Sequence, residues 1–395
     1  MSISSSQPFI PHATVAYVAA PATPPAEAQT LAAQQGWGEA VLLRRRGTAL
    51  AWVAERRRPV MPDADGLRQA WQTAQPMLLP GFAPAEVEVQ SARIRQSLAL
   101  VEAVLAGTEI ADCFEQSPYA ERLAPGFEML AAFEDEGDPQ EIETLEFDAV
   151  QGGEVIAENL WVKASWLSFE DDDASLRFRF SFGLVGYEDV AADPVRQHYA
   201  AALTEALFPE SAVISANPRL AALLQTALGV AGLNYVERIV YFNAPNGGAQ
   251  FHQDVERGHL GVVFAQAHGG TGWLTLPKQI LMDEIQQFAA GPANAAALAE
   301  LLPQTKLRKE LLNIVAERAS LAQVLDAGDH DALEALLNRC PAFIRQLVEH
   351  GHCYLLRPGD LILLPQHDAE HCAWHTVFCL DEFMGEALSF AVRAA

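Results

Sequence analysis

The sequence has few basic residues, and this shortage limits the partners it can have. Its 26 lysines and arginines stand against 51 aspartates and glutamates, a formal net charge of −25 over 395 residues. A nucleic-acid-binding surface needs clustered positive charge to neutralise phosphates, so DNA and RNA are not expected partners. The arginine triplets at 44–46 and 56–58 flank GTALAWVAE and are interpreted as the solvated ends of a hairpin.

Long apolar runs and a cysteine framework are missing as well. No stretch reaches the length that spans a bilayer, so no membrane partner is expected. Residues 1–25 lack a basic segment followed by an apolar one, and no secretory signal is predicted. Five cysteines are an odd number without framework spacing, which favours a reduced, cytoplasmic setting. With 50% hydrophobic residues, the chain is expected to fold around a substantial core.

Composition and periodicity divide the chain into three predicted regions. Residues 1–135 mix short strands with helical stretches, and the acidic segment 132–143 contains Gly and Pro, as boundaries often do. Residues 136–233 hold strands and helices that flank the last region. Residues 234–395 form the predicted core, interrupted by a helical insert at 279–348.

The last region has the pattern of a β barrel. Four apolar strands precede the helical insert and four follow it, with turns rich in Gly, Pro and Asn between them. They are predicted at 235–243, 249–254, 259–266, 272–277, 353–358, 360–365, 371–380 and 386–393. The expected fold is mainly β with α (α+β): a double-stranded β-helix, that is a jelly roll or cupin-like barrel, with a helical insert and an N-terminal α/β extension.

The stretch QFHQD places His252 two residues before Asp254 on one of these strands. Side chains alternate between the faces of a strand, so both point the same way. An imidazole and a carboxylate inside a barrel are costly to bury unless a partner satisfies both, as a divalent metal does. Two histidines and one carboxylate on one face form the facial triad of non-haem Fe(II) oxygenases. The pair therefore predicts a metal site whose third ligand comes from a distant strand.

Two histidines compete for the place of that third ligand. His371 and His375 follow the strand PGDLILLP and share parity, so alternation does not choose between them. The usual spacing between the PGD turn and the ligand favours His371, which is closer to the turn. His375 directly precedes the apolar strand TVFCL, and this context makes it the preferred third ligand. His367 is predicted to lie on the loop.

These segments resemble the JmjC and cupin-like Fe(II)/2-oxoglutarate-dependent oxygenases. The resemblance covers residues 235–278 and 352–393, through YFNAPNGGAQFHQD, VVFAQAHGGTGWLTLP and PGDLILLP followed by WHTVF and LSFAV. It implies Fe(II) held by His252, Asp254 and His375, with 2-oxoglutarate as co-substrate and O₂ as oxidant.

The chain departs from the family pattern at the co-substrate positions. A hydroxyl residue often stands three before the first ligand, where this chain has Ala249, and a lysine often stands where it has Thr271. Thr271 can offer a hydrogen bond but no charge. The replacement cations are Lys278, at the end of the same strand, and Arg393, on the last strand.

The expected activity is hydroxylation of a C–H bond in an amino acid, peptide or small metabolite, and assembly as a homodimer is left open. Desaturation, cyclisation and demethylation use the same chemistry. Two alternatives remain: a non-catalytic cupin-like binding protein, and a metal-dependent cupin oxygenase that does not use 2-oxoglutarate. Anaerobic Fe(II) titration with and without 2-oxoglutarate separates the three.

Overall fold

The computed structural model describes residues 15–18, 39–45, 48–54, 63–133, 141–166, 175–183, 193–245, 247–256 and 258–395. The first three ranges are described as strands of the backbone only. The expected solvated arginines at 46 and 56–58 lie outside the described residues.

The described strands are divided equally between the two halves of the chain. They are β1 Val15–Val18, β2 Glu39–Arg45, β3 Thr48–Ala54, β4 Met77–Leu79, β5 Phe127–Phe133, β6 Glu141–Gln151, β7 Glu154–Trp166, β8 Leu176–Phe182, β9 Leu233–Asn243, β10 Gly248–His252, β11 Gly261–His268, β12 Thr271–Pro277, β13 Cys353–Leu356, β14 Leu361–Pro365, β15 Ala373–Cys379 and β16 Gly385–Ala394. The eight strands expected from the last region correspond to β9 to β16.

The described helices lie in three groups, before β5, between β8 and β9, and between β12 and β13. They are α1 Ala64–Gln72, α2 Pro84–Leu105, α3 Ile110–Phe114, α4 Tyr119–Leu123, α5 Pro194–Leu207, α6 Ala212–Ser215, α7 Pro218–Leu228, α8 Lys278–Ala290, α9 Ala295–Leu301, α10 Thr305–Ala316, α11 Arg318–Ala327, α12 Asp331–Arg339 and α13 Pro341–Glu349. Within the described ranges, no helix combines the length and apolar character needed to cross a membrane.

Antiparallel pairing organises the strands into a small sheet and two large ones. β1, β3 and β2 form the small sheet. The order β10-β15-β12-β13 makes a four-stranded sheet, and β4-β14-β11-β16-β9-β8-β7-β6-β5 makes a nine-stranded one. The last eight strands therefore divide equally between the two large sheets, and the fold is a mostly antiparallel β-sandwich with helices.

Three apolar clusters fill the spaces between these layers. One packs the nine-stranded sheet against helices that include α2 and α5, through residues such as Val101, Phe178 and Leu203. A second packs the four-stranded sheet against the helices between β12 and β13, through residues such as Leu276 and Phe343. The third, with Phe264, Trp273 and Val377, lies between the two large sheets. The sandwich interior is thus a separate compartment, and it contains the candidate site.

Alternation along each strand decides which cluster a side chain joins. In β8, Phe178 and Phe180 pack towards the helices, so Arg177 and Arg179 lie on the opposite face. In β12, Leu274 and Leu276 pack towards the helices, whereas Trp273 lies in the sandwich interior.

A pair of carboxyls is buried on the helix-facing side of the nine-stranded sheet. Glu386, at the start of β16, is fully buried, and Glu210 is 1% exposed. The Ser97 hydroxyl lies 2.7 Å from Glu210 Oε1 and 3.0 Å from Glu386 Oε2. Burial and the neighbouring Glu210 charge raise the pKa of Glu386 well above its ordinary value.

We expect Gly248→Ala to destabilise the fold by about 2 kcal/mol. Gly248 has φ +150°, and a Cβ there would collide with the Val377 carbonyl, where β10 pairs with β15. Gly126→Ala is the matched control, because nothing lies within 4 Å of its Cβ position. Urea unfolding of both variants measures the difference. Equal stabilities would show that β10 does not need this close approach.

Candidate metal centre

Pairing of β10 with β15 brings two distant histidines together. His252 is the last residue of β10, and its register partner on β15 is His375. Their ring centroids are 4.2 Å apart, with the planes tilted by 55°. Residues 123 positions apart in sequence are therefore adjacent because of one strand pairing.

Asp254 completes a cluster of three possible metal ligands. The chain has left the strand at this point, and the carboxylate lies against both rings. Oδ1 is 3.4 Å from His252 Nε2 and Oδ2 is 3.4 Å from His375 Nε2. One ligand atom from each residue lies within 4.8 Å of the other two. The donor set is that of a two-histidine, one-carboxylate Fe(II) centre.

Backbone carbonyls orient both imidazoles towards this cluster. His252 Nδ1 is 2.6 Å from the Gln250 carbonyl oxygen, and His375 Nδ1 is 3.3 Å from that of Ala373. A carbonyl oxygen only accepts, so Nδ1 is the protonated nitrogen in each ring. Nε2 is left with its lone pair facing the carboxylate. Metal-binding histidines are commonly held in this way.

The electrostatics of the cluster put Asp254 and His375 in the states that a metal requires. Burial alone would raise the pKa of Asp254, but the adjacent His375 and His252 hold it well below its usual range. Burial and the neighbouring His252 lower the pKa of His375 to about 4. At neutral pH the carboxylate is therefore ionised and His375 is neutral. Metal ligation needs both conditions.

An aromatic wall supports the buried ligand from inside the sandwich. The Trp273 ring is stacked on His375 at a centroid distance of 5.4 Å, and Phe264 meets Trp273 edge-on at 4.6 Å. The Trp273 indole N–H donates to Thr271 Oγ1 at 3.0 Å, and the Thr271 hydroxyl donates to Gln266 Oε1 at 2.7 Å. The wall is thus fixed by a fully buried hydrogen-bond chain.

Thr271, which was expected to contact the co-substrate, is a member of this series of hydrogen bonds. Its single hydroxyl proton is used for Gln266, and its oxygen accepts from Trp273. No proton remains to donate to a carboxylate. The geometry therefore makes Thr271 a support for Trp273, in place of the co-substrate contact expected from sequence.

Lys278, the first of the two expected cations, lies on the other side of the four-stranded sheet. It is the first residue of α8, directly after β12, and not the end of that strand as expected from the sequence. Its ammonium is fully buried and lies 2.7 Å from Asp326 Oδ1 and 3.5 Å from Glu370 Oε1. Its charge is therefore neutralised at the junction of the helices with the sheet.

Arg393, the second expected cation, remains near the metal centre. Its guanidinium lies beside Gly258, at the end of the loop that follows Asp254. Neighbouring His259 is only 4% exposed. Burial and the Arg393 charge lower the pKa of His259 to about 4, whereas the Asp254 charge tends to raise it. Arg393, His259 and Asp254 are thus within electrostatic range of one another.

His371, the competing third ligand, points away from the cluster. Its side chain is 60% exposed, and its Nδ1 lies 3.0 Å from Asp368 Oδ1 on the same loop. His375 is 4% exposed and inside the sandwich. The three residues brought together are therefore His252, Asp254 and His375.

Tyr241, which contacts the aromatic wall, and its strand neighbour Arg177 were not predicted from the sequence. Tyr241 lies on β9 with its ring centroid 6.5 Å from that of Phe264. Arg177 is its register partner on β8. The alternation RFRF in β8 is a signal of two distinct faces, but it does not say which face adjoins the metal.

Comparison with known proteins found neither a matching family model nor a matching curated protein. Among solved structures, the chain is similar to an oxidoreductase of the 2OG-Fe(II) oxygenase family from Burkholderia pseudomallei (9% identity, TM-score 0.28, covering 85% of this chain and 92% of that one). It is similar to the non-heme alpha-ketoglutarate-dependent epimerase SnoN from nogalamycin biosynthesis (11% identity, TM-score 0.34, covering 84% of this chain and 83% of that one). It is also similar to HygX from Streptomyces hygroscopicus, with nickel, 2-oxoglutarate and hygromycin B bound (12% identity, TM-score 0.30, covering 83% of this chain and 86% of that one). These likenesses are distant, and the assignment of the centre depends on its own geometry.

We expect His375→Ala and Asp254→Ala each to weaken Fe(II) binding by more than about a hundredfold, because each removes a ligand. His371→Ala is the matched control, four positions away and exposed, and should bind iron like the unaltered chain. Anaerobic Fe(II) titration followed by metal analysis of the desalted protein measures this. Loss of iron in the His371 variant alone would make His371 the ligand.

Proposed function

We propose that this chain is a non-haem Fe(II)/2-oxoglutarate-dependent oxygenase whose iron is held by His252, Asp254 and His375. The observation that carries the proposal is the cluster itself: two oriented imidazole Nε2 atoms and an ionised carboxylate, all within 4.8 Å. Two imidazoles and one carboxylate leave three coordination positions for co-substrate and O₂.

The strand order supports a double-stranded β-helix around this centre. β9, β11, β14 and β16 lie in one sheet, and β10, β12, β13 and β15 lie in the other. Most successive strands thus cross from one sheet to the other, as in a jelly roll. We take residues 234–395 as the catalytic core, with the helices between β12 and β13 as an insert and the preceding residues as flanking regions.

When bound, Fe(II) supplies the redox chemistry by which O₂ and 2-oxoglutarate oxidise a C–H bond. The protein contributes charge, orientation and access. Asp254 offsets one of the two positive charges of the metal. The Trp273 wall shields His375, whereas the side chains of His252 and Asp254 are 40% and 33% exposed. Substrate therefore approaches from the side of His252 and Asp254.

The co-substrate needs a cation for its carboxylates, and Arg393 remains a candidate. It lies beside the loop that follows Asp254 and acts electrostatically on His259. Thr271 and Lys278 have protein partners of their own.

Substrate oxidation is proposed to be hydroxylation, acting on an amino acid, a peptide or a small metabolite. A metal-dependent oxygenase that does not use 2-oxoglutarate is the second candidate, favoured by the engagement of Thr271 and Lys278 elsewhere. A metal-free scaffold would bury His375 beside an ionised carboxylate with no ion between them, which is costly.

We expect the protein, loaded anaerobically with Fe(II), to develop a weak visible charge-transfer band on addition of 2-oxoglutarate. In air it should convert 2-oxoglutarate to succinate, faster when a panel of amino acids and peptides contains a substrate. Asp254→Ala should show neither signal, because it lacks the carboxylate ligand. Iron binding without the band or succinate would favour the second candidate, and no iron binding would favour a scaffold.

A further inference from the structure

The strand that carries His252 has one residue more than the segment of β15 with which it pairs. Ala249 is paired with Val377. His252, three residues later, is paired with His375, two residues earlier. Such a β-bulge changes the face to which the following side chain points. Ala249 and His252 therefore both face the sandwich interior, although residues three apart on a regular strand point to opposite faces.

The peptide group between Gln250 and Phe251 lies in this bulge, and both of its polar ends have side-chain partners. Its carbonyl oxygen, that of Gln250, is 2.6 Å from His252 Nδ1. Its N–H, that of Phe251, donates to Asn338 Oδ1 at 2.8 Å. Because a peptide group is planar, the direction of its N–H also fixes the direction of its C=O. One rigid unit thus joins Asn338 to the imidazole of His252.

Asn338 belongs to α12 of the helical insert and is itself held in place. It is 5% exposed, and its Nδ2 donates to the Glu334 carbonyl oxygen at 3.3 Å, one helical turn earlier. Leu336 and Leu337 of the same helix lie in the apolar cluster that also contains Phe251. Among the described strands, β10 is at the edge of its sheet, so the outward N–H of Phe251 meets the insert and not another strand.

We infer that Asn338 is a positioning residue of the metal centre. It holds the peptide group between Gln250 and Phe251 in the orientation that keeps His252 protonated on Nδ1, with Nε2 directed to the metal. Without this acceptor the N–H of Phe251 would be buried without a partner, which is costly. A rotation of the peptide group that regained a partner would carry the Gln250 oxygen away from the imidazole.

The inference deepens the proposed function and rests on it only where iron is concerned, because the metal-free chain already has the two hydrogen bonds. Partners that orient metal-binding histidines commonly change metal affinity by about ten- to a hundredfold. Asn338 is one peptide group further from the metal than such a partner. We therefore expect an effect at the lower end of this range.

Three variants separate the hydrogen bond from the packing around it. Asn338→Leu removes the acceptor at similar volume, whereas Asn338→Asp keeps an oxygen in the same place. Asn217→Leu is the matched control. Asn217 is 3% exposed, its Oδ1 accepts from the N–H of Leu220 at 3.1 Å, and Leu220 packs in the cluster beside the nine-stranded sheet. The control thus deletes the same kind of hydrogen bond without altering the contact to β10. Melting temperatures record the loss of stability in each variant.

The first measurement is ¹⁵N NMR of the imidazole nitrogens in the metal-free protein, well above the ordinary histidine pKa. In the unaltered chain we expect His252 and His375 each to be protonated on Nδ1. Asn338→Leu should convert His252 to a mixture of the two tautomers and leave His375 unchanged, because the Ala373 carbonyl on β15 orients that ring. Asn338→Asp and Asn217→Leu should keep the pattern of the unaltered chain.

The second measurement is anaerobic Fe(II) titration of the same proteins. Asn338→Leu should raise the Kd for Fe(II) about tenfold. Asn338→Asp should remain within about threefold of the unaltered chain, and Asn217→Leu within about twofold. Rescue by the aspartate variant would show that the affinity depends on the acceptor and not on the volume of the side chain.

Where the unaltered chain binds Fe(II), the inference requires both the tautomer change at His252 and the loss of affinity, and the absence of either overturns it. Equal changes at His252 and His375, or the same effects in Asn217→Leu, would show a general loosening of the fold and would also overturn it. If the unaltered chain binds no Fe(II), the proposed function fails, and the tautomers alone decide the role of Asn338.

Amide hydrogen exchange of the unaltered chain decides the matter if Asn338→Leu does not fold. Slow exchange of the Phe251 amide, retained in Asn338→Asp, supports the link between the insert and β10. Exchange as fast as that of an exposed amide at a strand edge overturns it.

Discussion

The pairing of one short strand with one distant strand determines whether this protein has a metal centre. β10 has five residues, and its register on β15 sets His252 opposite His375. A shift of one residue would turn one imidazole to the other face of the sheet, because side chains alternate. Asp254, two residues beyond the strand, then reaches both rings. The glycine at the start of β10 permits the close approach on which the register depends.

Alternation and motif order were sufficient to predict the strands of the second half and the three members of the cluster. His252 and Asp254 share parity within one segment, so a local pattern identifies them. The third member required knowledge that parity does not contain. His371 and His375 differ in structure because residues 366–372 form a loop closed by Asp368, which draws His371 outwards. This local interaction is polar, and it cannot be predicted from the alternation of apolar residues along a strand.

The cations that would bind the co-substrate were harder to predict, because a charged side chain can lie on either face of a sheet. Lys278 is the first residue of α8, so the alternation that directs Leu274 and Leu276 along β12 does not apply to it. Its partner Asp326 lies on a helix far along the chain, and no sequence pattern links the two. Arg177 presents the converse difficulty. Its strand alternates arginine with phenylalanine, but only the sheet order shows that the arginine face adjoins Tyr241.

The buried carboxyls Glu210 and Glu386 make the stability of the fold depend on pH. Their pKa values are raised in the folded chain, by burial first and, for Glu386, also by the charge of its neighbour. Unfolding therefore releases protons, so the stability that this pair contributes is complete below the ordinary glutamate range and is lost as the pH rises through the raised values. Glu386 is the second residue of β16, and Arg393 lies near the other end of the same strand. A rise in pH through these raised values thus weakens, from the far side of the sheet, the same strand that borders the metal centre.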